Sequence, residues 1–341
     1  MMEILLISTE DVSRMLWLAL GAFAIAFIMT PAFTNFLYKN KLGKRIRDSK
    51  DAPIYTALHA KKSGTPTMAG LLVWVTVALL TLVFNLERSA TWLPLFCLAA
   101  TGVVGAIDDL LNVRGIGEKG GGLRFRHKFP VYLVIALAGA WWFYSKLDWN
   151  SIHIPALGDY IIGWWYVPLF VAVLVWMAFS ANQADGLDGL AGGIFAFSYG
   201  AFALIALTQG KSELAAFCAT VTGGLLAFLW FNIPPARFFM GDTGSMALGM
   251  TLGVIAFLTN SVVALPIITL VFMIEGLSFV VQFLSKKLRH GKKVFLSSPI
   301  HHHFEAIGWP EYKVTMRFWV IGMVSAVAGL ILALLGRGNF I

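Results

Sequence analysis

Two adjacent carboxylates, Asp108 and Asp109, stand at the end of a long apolar run that begins near Trp92. Neighbouring carboxylates repel each other, and one of them tends to take up a proton unless a cation lies close by. A bound Mg²⁺ removes this conflict, because hard divalent cations prefer carboxylate oxygen. The alternative interpretation is that the pair forms only the polar end of a membrane-spanning helix, since charges at the rim of a span need not be functional.

A second acidic segment, residues 182–193, combines Asn182, Asp185 and Asp188 with four glycines. Glycine lets the backbone turn tightly and approach a ligand closely. An apolar run begins directly after the segment, so the free N–H groups at the start of that helix would face the loop and favour an anion. Capping of the helix by Asp188 would explain one acid only. The segment as a whole therefore favours a binding function.

A third segment, GDTGS at residues 241–245, repeats this arrangement with Asp242 at the start of an apolar run. Taken alone, Asp242 is best explained as a helix cap. On the same membrane face as the adjacent carboxylates, metal ligation becomes the favoured interpretation. Asn232 ends the preceding apolar run, and Phe238 and Phe239 could either stack on a flat ring or pack in the core.

Three consecutive histidines, His301, His302 and His303, follow a proline late in the chain. Neighbouring side chains on a regular element cannot all face one metal ion, and no cysteine lies near, so a structural zinc site is disfavoured. Donation to phosphate oxygens is the preferred interpretation. Lys62 is a predicted phosphate or base contact, while most other lysines in its loop are explained by membrane topology.

One acid, Glu275, lies well inside an apolar run. Burial of a charge there is costly, so the side chain should face the helix bundle and hydrogen-bond to a polar neighbour such as Ser278 or Gln282. This predicts a structural rather than a catalytic role for Glu275.

The elements that must position these residues are membrane-spanning helices. Of the 341 residues, 58% are hydrophobic and only 13% are charged, against roughly 25% charged in a soluble domain. Cys97 and Cys218 lie in apolar runs and predict no disulfide. The chain is therefore predicted to be one all-α membrane domain, residues 1–341. Ten apolar runs approach the length of a span, at about 15–38, 68–86, 92–110, 129–147, 166–181, 190–208, 214–231, 245–258, 262–284 and 315–335.

The distribution of lysine and arginine orients these spans. With ten spans, the loops after spans one, three, five, seven and nine (the odd-numbered loops) lie on one side of the membrane. Twenty of the 26 lysines and arginines fall in these loops and five on the other side. The rich side is cytoplasmic by the positive-inside rule, which puts both termini outside. The net charge of +8 is thus mostly topological and does not indicate nucleic acid. Every polar segment described above falls on the cytoplasmic side. An outer loop, residues 148–165, is predicted to form a small hairpin.

Taken together, these segments resemble the phospho-N-acetylmuramoyl-pentapeptide transferase family, part of the polyprenyl-phosphate N-acetylhexosamine-1-phosphate transferase superfamily. The resemblance implies a ten-helix, usually dimeric, Mg²⁺-dependent enzyme of the bacterial cytoplasmic membrane. It would transfer phospho-MurNAc-pentapeptide from UDP-MurNAc-pentapeptide to undecaprenyl phosphate, releasing UMP. The matching pieces are GTPTMAG (64–70), IDD (107–109), NQADGLDGLAGG (182–193), FNIPPARFFMGDTGS (231–245), EGLSFVVQ (275–282) and PIHHHFE (299–305).

The resemblance also implies roles for single residues. The acidic catalytic and metal positions are Asp108, Asp109 and Asp242, with Asp242 the expected Mg²⁺ ligand. The nucleoside pocket falls on Lys62, Gly186, Leu187, Asp188, Asn232 and Phe239. Further substrate-binding positions are Lys128, Asn182, Asp185, Gln282, His301, His302 and His303. One departure is Asn112, which stands where the family's DDxxK pattern has lysine. Lys119, seven residues on, is the candidate replacement.

Two alternatives remain open. An N-acetylhexosamine-1-phosphate transferase would use the same chemistry on another UDP-sugar, but the histidine run argues against it. A membrane transporter would spread its charges across the bilayer depth and show inverted repeats or broken helices. Here the acids collect at one face, and only Glu275 lies deep.

Overall fold

The computed structural model describes residues 7–43, 62, 64–117, 122–123 and 125–335. The part of the chain within these ranges is mainly helical, with one hairpin of strands β1 (Ser151–Ile154) and β2 (Gly158–Ile161) and a 3₁₀ turn at Gly163–Trp165. The helices are α1 (Thr9–Lys39), α2 (Gly70–Phe84), α3 (Trp92–Arg114), α4 (Phe125–Lys146), α5 (Tyr166–Ala184), α6 (Leu190–Thr208), α7 (Ser212–Asn232), α8 (Asp242–Leu258), α9 (Leu265–Ile268), α10 (Leu270–Leu288), α11 (Ile300–Ala306) and α12 (Glu311–Leu334).

Nine of the ten predicted spans each correspond to one helix, and the predicted span 262–284 contains two, α9 and α10. By length and apolar composition, six helical segments of the described chain qualify as membrane spans: α1, α3, α6, α7, α12, and Gly163–Ala184, which includes α5. Helices α2 and α8 are apolar but shorter. The chain is therefore an α-helical, multi-pass membrane protein, while ten crossings and outward-facing termini stay predictions.

Helix α8 is the centre of the bundle. All residues of α8 after Asp242 are buried, and the helix packs against α2, α3, α5 and α6. A helix that is apolar on every side is stable only when neighbours cover it all round. Small residues bring those neighbours close: a Cβ added at Gly249 would lie 2.7 Å from the Met177 carbonyl oxygen of α5. Asp242 therefore projects from the start of the most enclosed helix.

The outer helices are arranged in pairs around this centre. Helices α1 and α2 pack on α7, α4 and α10 pack on α5, and α12 packs on α6. Hydrogen bonds join the ends of α3 and α5 to the start of α8, and the end of α7 to the start of α6. The first turns of α4 and α12 are bonded to the start of α8 and to Asp188, just before α6. All these termini therefore meet at one end of the bundle, here named the site end. The opposite end, which carries the β-hairpin, is named the hairpin end.

Several helix boundaries differ from the predicted spans, and three of these differences are described here. α1 starts earlier, at Thr9, because Ser8 Oγ accepts a hydrogen bond from Glu10 N at 3.1 Å and two acids occupy the first turn, which suits the helix dipole. The predicted span 262–284 is divided into α9 and α10 at Thr269. The Thr269 hydroxyl bonds the Leu265 carbonyl at 2.7 Å, a local bond that competes with a regular helix. The predicted span 315–335 begins at Glu311.

The predicted hairpin in residues 148–165 is confirmed. Strands β1 and β2 pair antiparallel, with His153 opposite Asp159. His153 Nδ1 lies 2.9 Å from Asp159 Oδ1, and the His153 amide donates to Asn260 Oδ1 at 2.9 Å, just beyond the end of α8. The hairpin thus packs on the C-terminal end of the central helix. Cys97 and Cys218 are both buried and neither forms a disulfide within the described chain.

Candidate active site

At the site end, Lys128 lies between two carboxylates from different helices. Its Nζ is 2.5 Å from Asp108 Oδ2, near the end of α3, and 2.5 Å from Asp242 Oδ2, at the start of α8. The two oxygens can therefore be no farther apart than twice that distance. The ammonium group offsets the repulsion that two carboxylates so close would otherwise feel. We name Asp108, Lys128 and Asp242 the Lys128 cluster.

The remaining oxygens of this cluster are also engaged. Asp242 Oδ1 accepts a hydrogen bond from Asn182 Nδ2 at 2.7 Å, and the same amide lies 3.2 Å from Ser245 Oγ. Asp108 Oδ1 accepts from the Leu123 amide. Asn182, at the end of α5, thus binds the Asp242 oxygen that is not the one nearest Lys128.

Asp109 caps the start of α8, a role that the sequence suggested for Asp242. Asp109 accepts three hydrogen bonds: from Asp242 N at 3.2 Å, from Thr243 N at 3.0 Å and from Thr243 Oγ1 at 2.7 Å. These are the amides that an α-helix leaves without intrahelical partners, and a carboxylate there also suits the helix dipole. Because Asp109 of α3 caps α8, the Asp242 side chain does not cap its own helix, and it contacts Lys128.

Asp185 connects the second and third polar segments. Its Oδ2 accepts a hydrogen bond from Gly241 N at 3.0 Å. Gly241 has φ +75°, and an added Cβ would overlap Asp109 Oδ2, so only glycine suits both the backbone and the space. The end of α5 and the start of α8 are therefore joined through their loops as well as through Asn182.

A second lysine joins another pair of carboxylates. Lys62 Nζ lies 2.6 Å from Asp188 Oδ1 and also contacts Glu311 Oε1. Asp188 Oδ2 accepts from Ala236 N at 3.0 Å, and Glu311 Oε1 accepts from Asp188 N at 2.7 Å. We name Lys62, Asp188 and Glu311 the Lys62 cluster. Lys62 also lies 5.9 Å from the centre of the Phe239 ring.

Glu311 is the residue of this site that the sequence reasoning missed. It follows Trp309 and Pro310 and begins α12. An acid in the first turn of a helix commonly complements the helix dipole, so its presence there indicates no further role. Proline just before an apolar run is a helix-start signal. Nothing in the sequence pairs Glu311 with Lys62, 249 residues away.

Asn232 binds the backbone of two loops. Its Oδ1 accepts from Gly189 N at 3.0 Å, and its Nδ2 donates to the Phe238 carbonyl at 2.8 Å. Phe238 is fully buried and packs against Phe228 and Phe231, with ring centres 5.6 Å and 6.2 Å away. Of the two neighbouring phenylalanines, Phe238 is thus a core residue and Phe239 the one beside Lys62. Leu187 is buried.

The histidine run was predicted to donate to phosphate, and this stays a prediction; the Nδ1 atoms of all three rings contact protein groups. His301 is fully buried, with Nδ1 2.9 Å from Glu275 Oε2. His302 Nδ1 lies 2.7 Å from Glu305 Oε2, and His303 Nδ1 accepts from Leu296 N at 3.2 Å. The three side chains diverge because consecutive residues of α11 point about 100° apart.

The partner of Glu275 is accordingly His301, not the Ser278 or Gln282 side chain that the sequence suggested. Ser278 Oγ donates to the Glu275 backbone carbonyl at 2.8 Å. Gln282 binds backbone: its Oε1 accepts from Val294 N and Phe295 N at 2.9 and 3.0 Å, and its Nε2 donates to the Phe295 carbonyl at 2.8 Å. Gln282 therefore secures the loop between α10 and α11.

Protein side chains fill the space beside three glycines of residues 182–193, and close approach of a ligand to this segment stays a prediction. A Cβ at Gly186 would overlap His301 Nε2, one at Gly193 would overlap Trp319 Nε1, and one at Gly192 would lie 2.9 Å from a Leu229 methyl carbon. Gly186 also places the loop between α5 and α6 next to His301 of α11. All the predicted site residues thus belong to one end of the bundle.

The departure at Asn112 does not leave Asp108 without a cation, because Lys128 contacts it. The candidate replacement, Lys119, lies outside the described residues. Within the described chain, no three His, Cys, Asp or Glu side chains are grouped to hold a metal ion. The two carboxylates that converge on one cation are those of Asp108 and Asp242.

Comparison with known proteins agrees with this geometry. The model of glycosyl transferase family 4 matches residues 91–260, which contain the Lys128 cluster. A phospho-N-acetylmuramoyl-pentapeptide-transferase of Chloroflexus aggregans is 40% identical over 96% of this chain and 91% of its own length. The chain belongs to the phospho-N-acetylmuramoyl-pentapeptide-transferase family. Members from Geobacillus thermodenitrificans and Listeria monocytogenes are 38% and 39% identical, over 91% and 92% of this chain and 94% and 97% of their own lengths.

Proposed function

We propose that this protein transfers phospho-MurNAc-pentapeptide from UDP-MurNAc-pentapeptide to undecaprenyl phosphate, giving lipid I and UMP in peptidoglycan synthesis. The observation that carries the proposal is the Lys128 cluster, in which Asp108 and Asp242 converge on one cation at the end of a membrane bundle. Phosphoryl transfer between a lipid phosphate and a soluble nucleotide requires such charges at the membrane surface, because catalysis is mainly positioning and charge neutralisation.

We further propose that the enzyme depends on Mg²⁺, held by Asp242 and Asp108. Mg²⁺ is commonly bound through one or two carboxylates together with waters and substrate phosphates, and the two converging oxygens fit that requirement. Asp109 fits less well, because both its oxygens accept hydrogen bonds at the start of α8. The chemistry that Mg²⁺ supplies when bound is neutralisation of the diphosphate charge and stabilisation of the leaving UMP.

In this mechanism an oxygen of the lipid phosphate forms a bond to the β-phosphorus of the UDP-sugar. The bond from that phosphorus to the bridging oxygen breaks, and UMP leaves with the electron pair. Asp108 accepts the proton of any singly protonated lipid phosphate. The second pKa of a phosphate monoester is about 6, so this base contributes modestly at neutral pH. Lys128 moves from the carboxylates to the phosphates, where an ammonium group is a point-charge donor.

The nucleotide side of the site is proposed to be the surface around the Lys62 cluster. Phe239 offers a ring face beside Lys62, and aromatic faces stack well on nucleobases. The site would face the cytoplasm of a bacterial inner membrane, where the nucleotide substrate is available and the lipid carrier lies in the same bilayer. The basic residues of the odd-numbered loops favour that orientation. We also propose a homodimer, on the family resemblance alone.

The deciding experiment is UMP release by the purified full-length chain given UDP-MurNAc-pentapeptide, undecaprenyl phosphate and Mg²⁺, with the lipid product identified by mass. We expect release to require both substrates and to stop with chelator. UDP-N-acetylglucosamine in place of the muramoyl substrate should release no UMP. Release from that sugar alone would favour an N-acetylhexosamine-1-phosphate transferase, and no release from either sugar would reject the proposal.

A further inference from the structure

Three side chains on one face of α12 hold the loop that contains Asp188. Glu311 Oε1 accepts from Asp188 N at 2.7 Å, and Thr315 Oγ1 donates to the Asp188 carbonyl at 3.2 Å. Trp319 Nε1 donates to the Gly189 carbonyl at 3.1 Å. Positions four residues apart lie above one another on a helix, so these three residues form one ladder, here named the α12 ladder.

The packing around the α12 ladder is close. Thr315 is buried, with 2% of its surface exposed. Gly193, at the start of α6, leaves the space that the Trp319 indole occupies, because a Cβ there would overlap Trp319 Nε1. Gly189 has φ +76° and turns its carbonyl toward the indole. The start of α6 therefore leaves room for the Trp319 indole and presents a carbonyl to it. Such a fit is expected of a rigid support and not of an incidental surface contact.

Glu311 connects the ladder to Lys62. The same Oε1 atom that accepts from Asp188 N also contacts Lys62 Nζ, which in turn bonds Asp188 Oδ1 at 2.6 Å. One carboxylate oxygen thus fixes both the loop backbone and the ammonium group beside Phe239. Removing its charge would leave Lys62 with Asp188 as its acidic partner and free the ammonium to move relative to the Phe239 ring.

We propose that the α12 ladder is the support of the nucleotide pocket and that Glu311 is a positioning residue that sets affinity for uridine nucleotides. Glu311 acts through Lys62 and Asp188 and does not belong to the Lys128 cluster, so it should govern binding and leave the chemical step almost unchanged. The inference rests on the proposed function in taking the surface beside Lys62 as the nucleotide pocket.

The test uses the purified full-length chain and UMP as the probe, because UMP binding needs no turnover. We expect Glu311→Gln to weaken UMP binding and raise KM for UDP-MurNAc-pentapeptide, each by about ten-fold, as for loss of a hydrogen bond to a charged group. The value of kcat should stay within about three-fold of wild type, since effects confined to binding appear in KM. Glu311→Asp, which keeps the charge, should recover part of the affinity.

Thr315→Val tests the ladder without changing a charge. It removes the hydrogen bond to the Asp188 carbonyl, and amides 186–190 should exchange with deuterium faster than in the wild type. The matched control is Thr220→Val, a buried threonine whose hydroxyl bonds only the Ala216 carbonyl within α7 among the contacts described. For the charge change the control is Glu213→Gln at the hairpin end. Both controls should keep wild-type UMP affinity and wild-type exchange at 186–190.

The outcomes separate the two proposals. If the wild type binds UMP but makes no lipid product, the proposed function fails, and the UMP affinity of Glu311→Gln still decides the role of Glu311. If the wild type binds no UMP, the nucleotide pocket and the role of Glu311 both fail, while amide exchange still decides whether the ladder supports the loop. Unchanged UMP affinity in folded Glu311→Gln, or a fall in kcat equal to the fall in kcat/KM, would overturn the positioning role.

Discussion

The Lys128 cluster and the Lys62 cluster share a plan, since each places one lysine between two carboxylates from distant helices. They differ in what else the carboxylates hold. In the Lys62 cluster both acids also bind backbone, Asp188 through Ala236 N and Glu311 through Asp188 N. In the Lys128 cluster, among the contacts described, Asp108 also binds backbone through the Leu123 amide, while the two oxygens of Asp242 bind the side chains of Lys128 and Asn182.

This difference indicates separate tasks. Among the contacts described, the two Oδ2 atoms of the Lys128 cluster contact the lysine and no backbone amide. Another cation could therefore replace the lysine there without loss of a backbone contact, which suits a reaction centre. Movement of Asp188 or Glu311 would release the loop between α5 and α6, which suits a fixed binding surface. Two similar ion-pair arrangements at the same end of the molecule can therefore serve reaction and recognition.

The largest effect is expected from Asp242→Asn. The change removes a negative charge at the position proposed to hold Mg²⁺, and such charge stabilisation is worth several kcal/mol, so UMP release should fall by about a thousand-fold. The measurement is UMP release at saturating Mg²⁺, with Asp159→Asn at the hairpin end as the control that keeps the wild-type rate. A folded Asp242→Asn enzyme with a rate near that of the wild type would remove the reaction centre from the Lys128 cluster.

The second prediction compares the two lysines directly. Lys128→Gln leaves two nearly buried carboxylates uncompensated, and breaking a buried pair costs about 3 kcal/mol of unfolding free energy. Added Mg²⁺ should recover much of that loss, because a divalent cation replaces the ammonium between the two oxygens.

Thermal unfolding with chelator and with Mg²⁺ measures this recovery, and Lys62→Gln is the matched comparison. In Lys62→Gln the midpoint should respond to Mg²⁺ no more than in the wild type. An equal response of both variants would contradict the distinction between an exchangeable and a fixed cluster.

The third prediction concerns Asp109→Asn. An amide cannot accept at both positions, so at least one of the bonds to Asp242 N and Thr243 is lost, together with the charge that complements the α8 dipole. We expect a loss of about 2 kcal/mol in unfolding free energy, measured by thermal or chemical unfolding. Asp242→Asn should lose less, because Asp242 caps nothing. The reverse order of stabilities would contradict the assignment of the cap to Asp109.

The smallest effect is expected at the hairpin end. Arg14 and Glu213 form an ion pair at 3.6 Å, with more than a third of each side chain exposed. Such pairs contribute at most about 1 kcal/mol, so Glu213→Gln should change the unfolding midpoint slightly and UMP release not at all. A large loss of UMP release would mean that the two ends of the bundle are functionally coupled.

Much of the architecture was predictable from hydrophobicity. The apolar runs near span length became helices, with the run 262–284 divided into two, because a segment in lipid must satisfy its own backbone hydrogen bonds. The acids of the site were predictable for a related reason. Charged side chains in a membrane segment are costly to bury, so those that occur there usually have a function. Asp108 and Asp242 were expected to meet, and they share Lys128.

The partners of individual side chains were less predictable. The histidine run and Gln282 were expected to contact substrate, which stays a prediction, and the sequence did not indicate that His301 binds Glu275 or that Gln282 binds the backbone of Phe295. A polar side chain near a site has the same sequence pattern whether it faces a ligand or a neighbouring loop, because either partner satisfies its hydrogen bonds.

The sequence by itself determined the membrane-embedded helical bundle, the family and the clustering of acids at one end, because apolar length and charge are local properties of the chain. Only the tertiary structure decided that Asp109 caps α8 while Asp242 faces Lys128, and that Glu311 joins Lys62. These assignments depend on which helix ends meet. Contacts between residues more than one hundred positions apart are fixed by packing around α8 and not by neighbours in the chain.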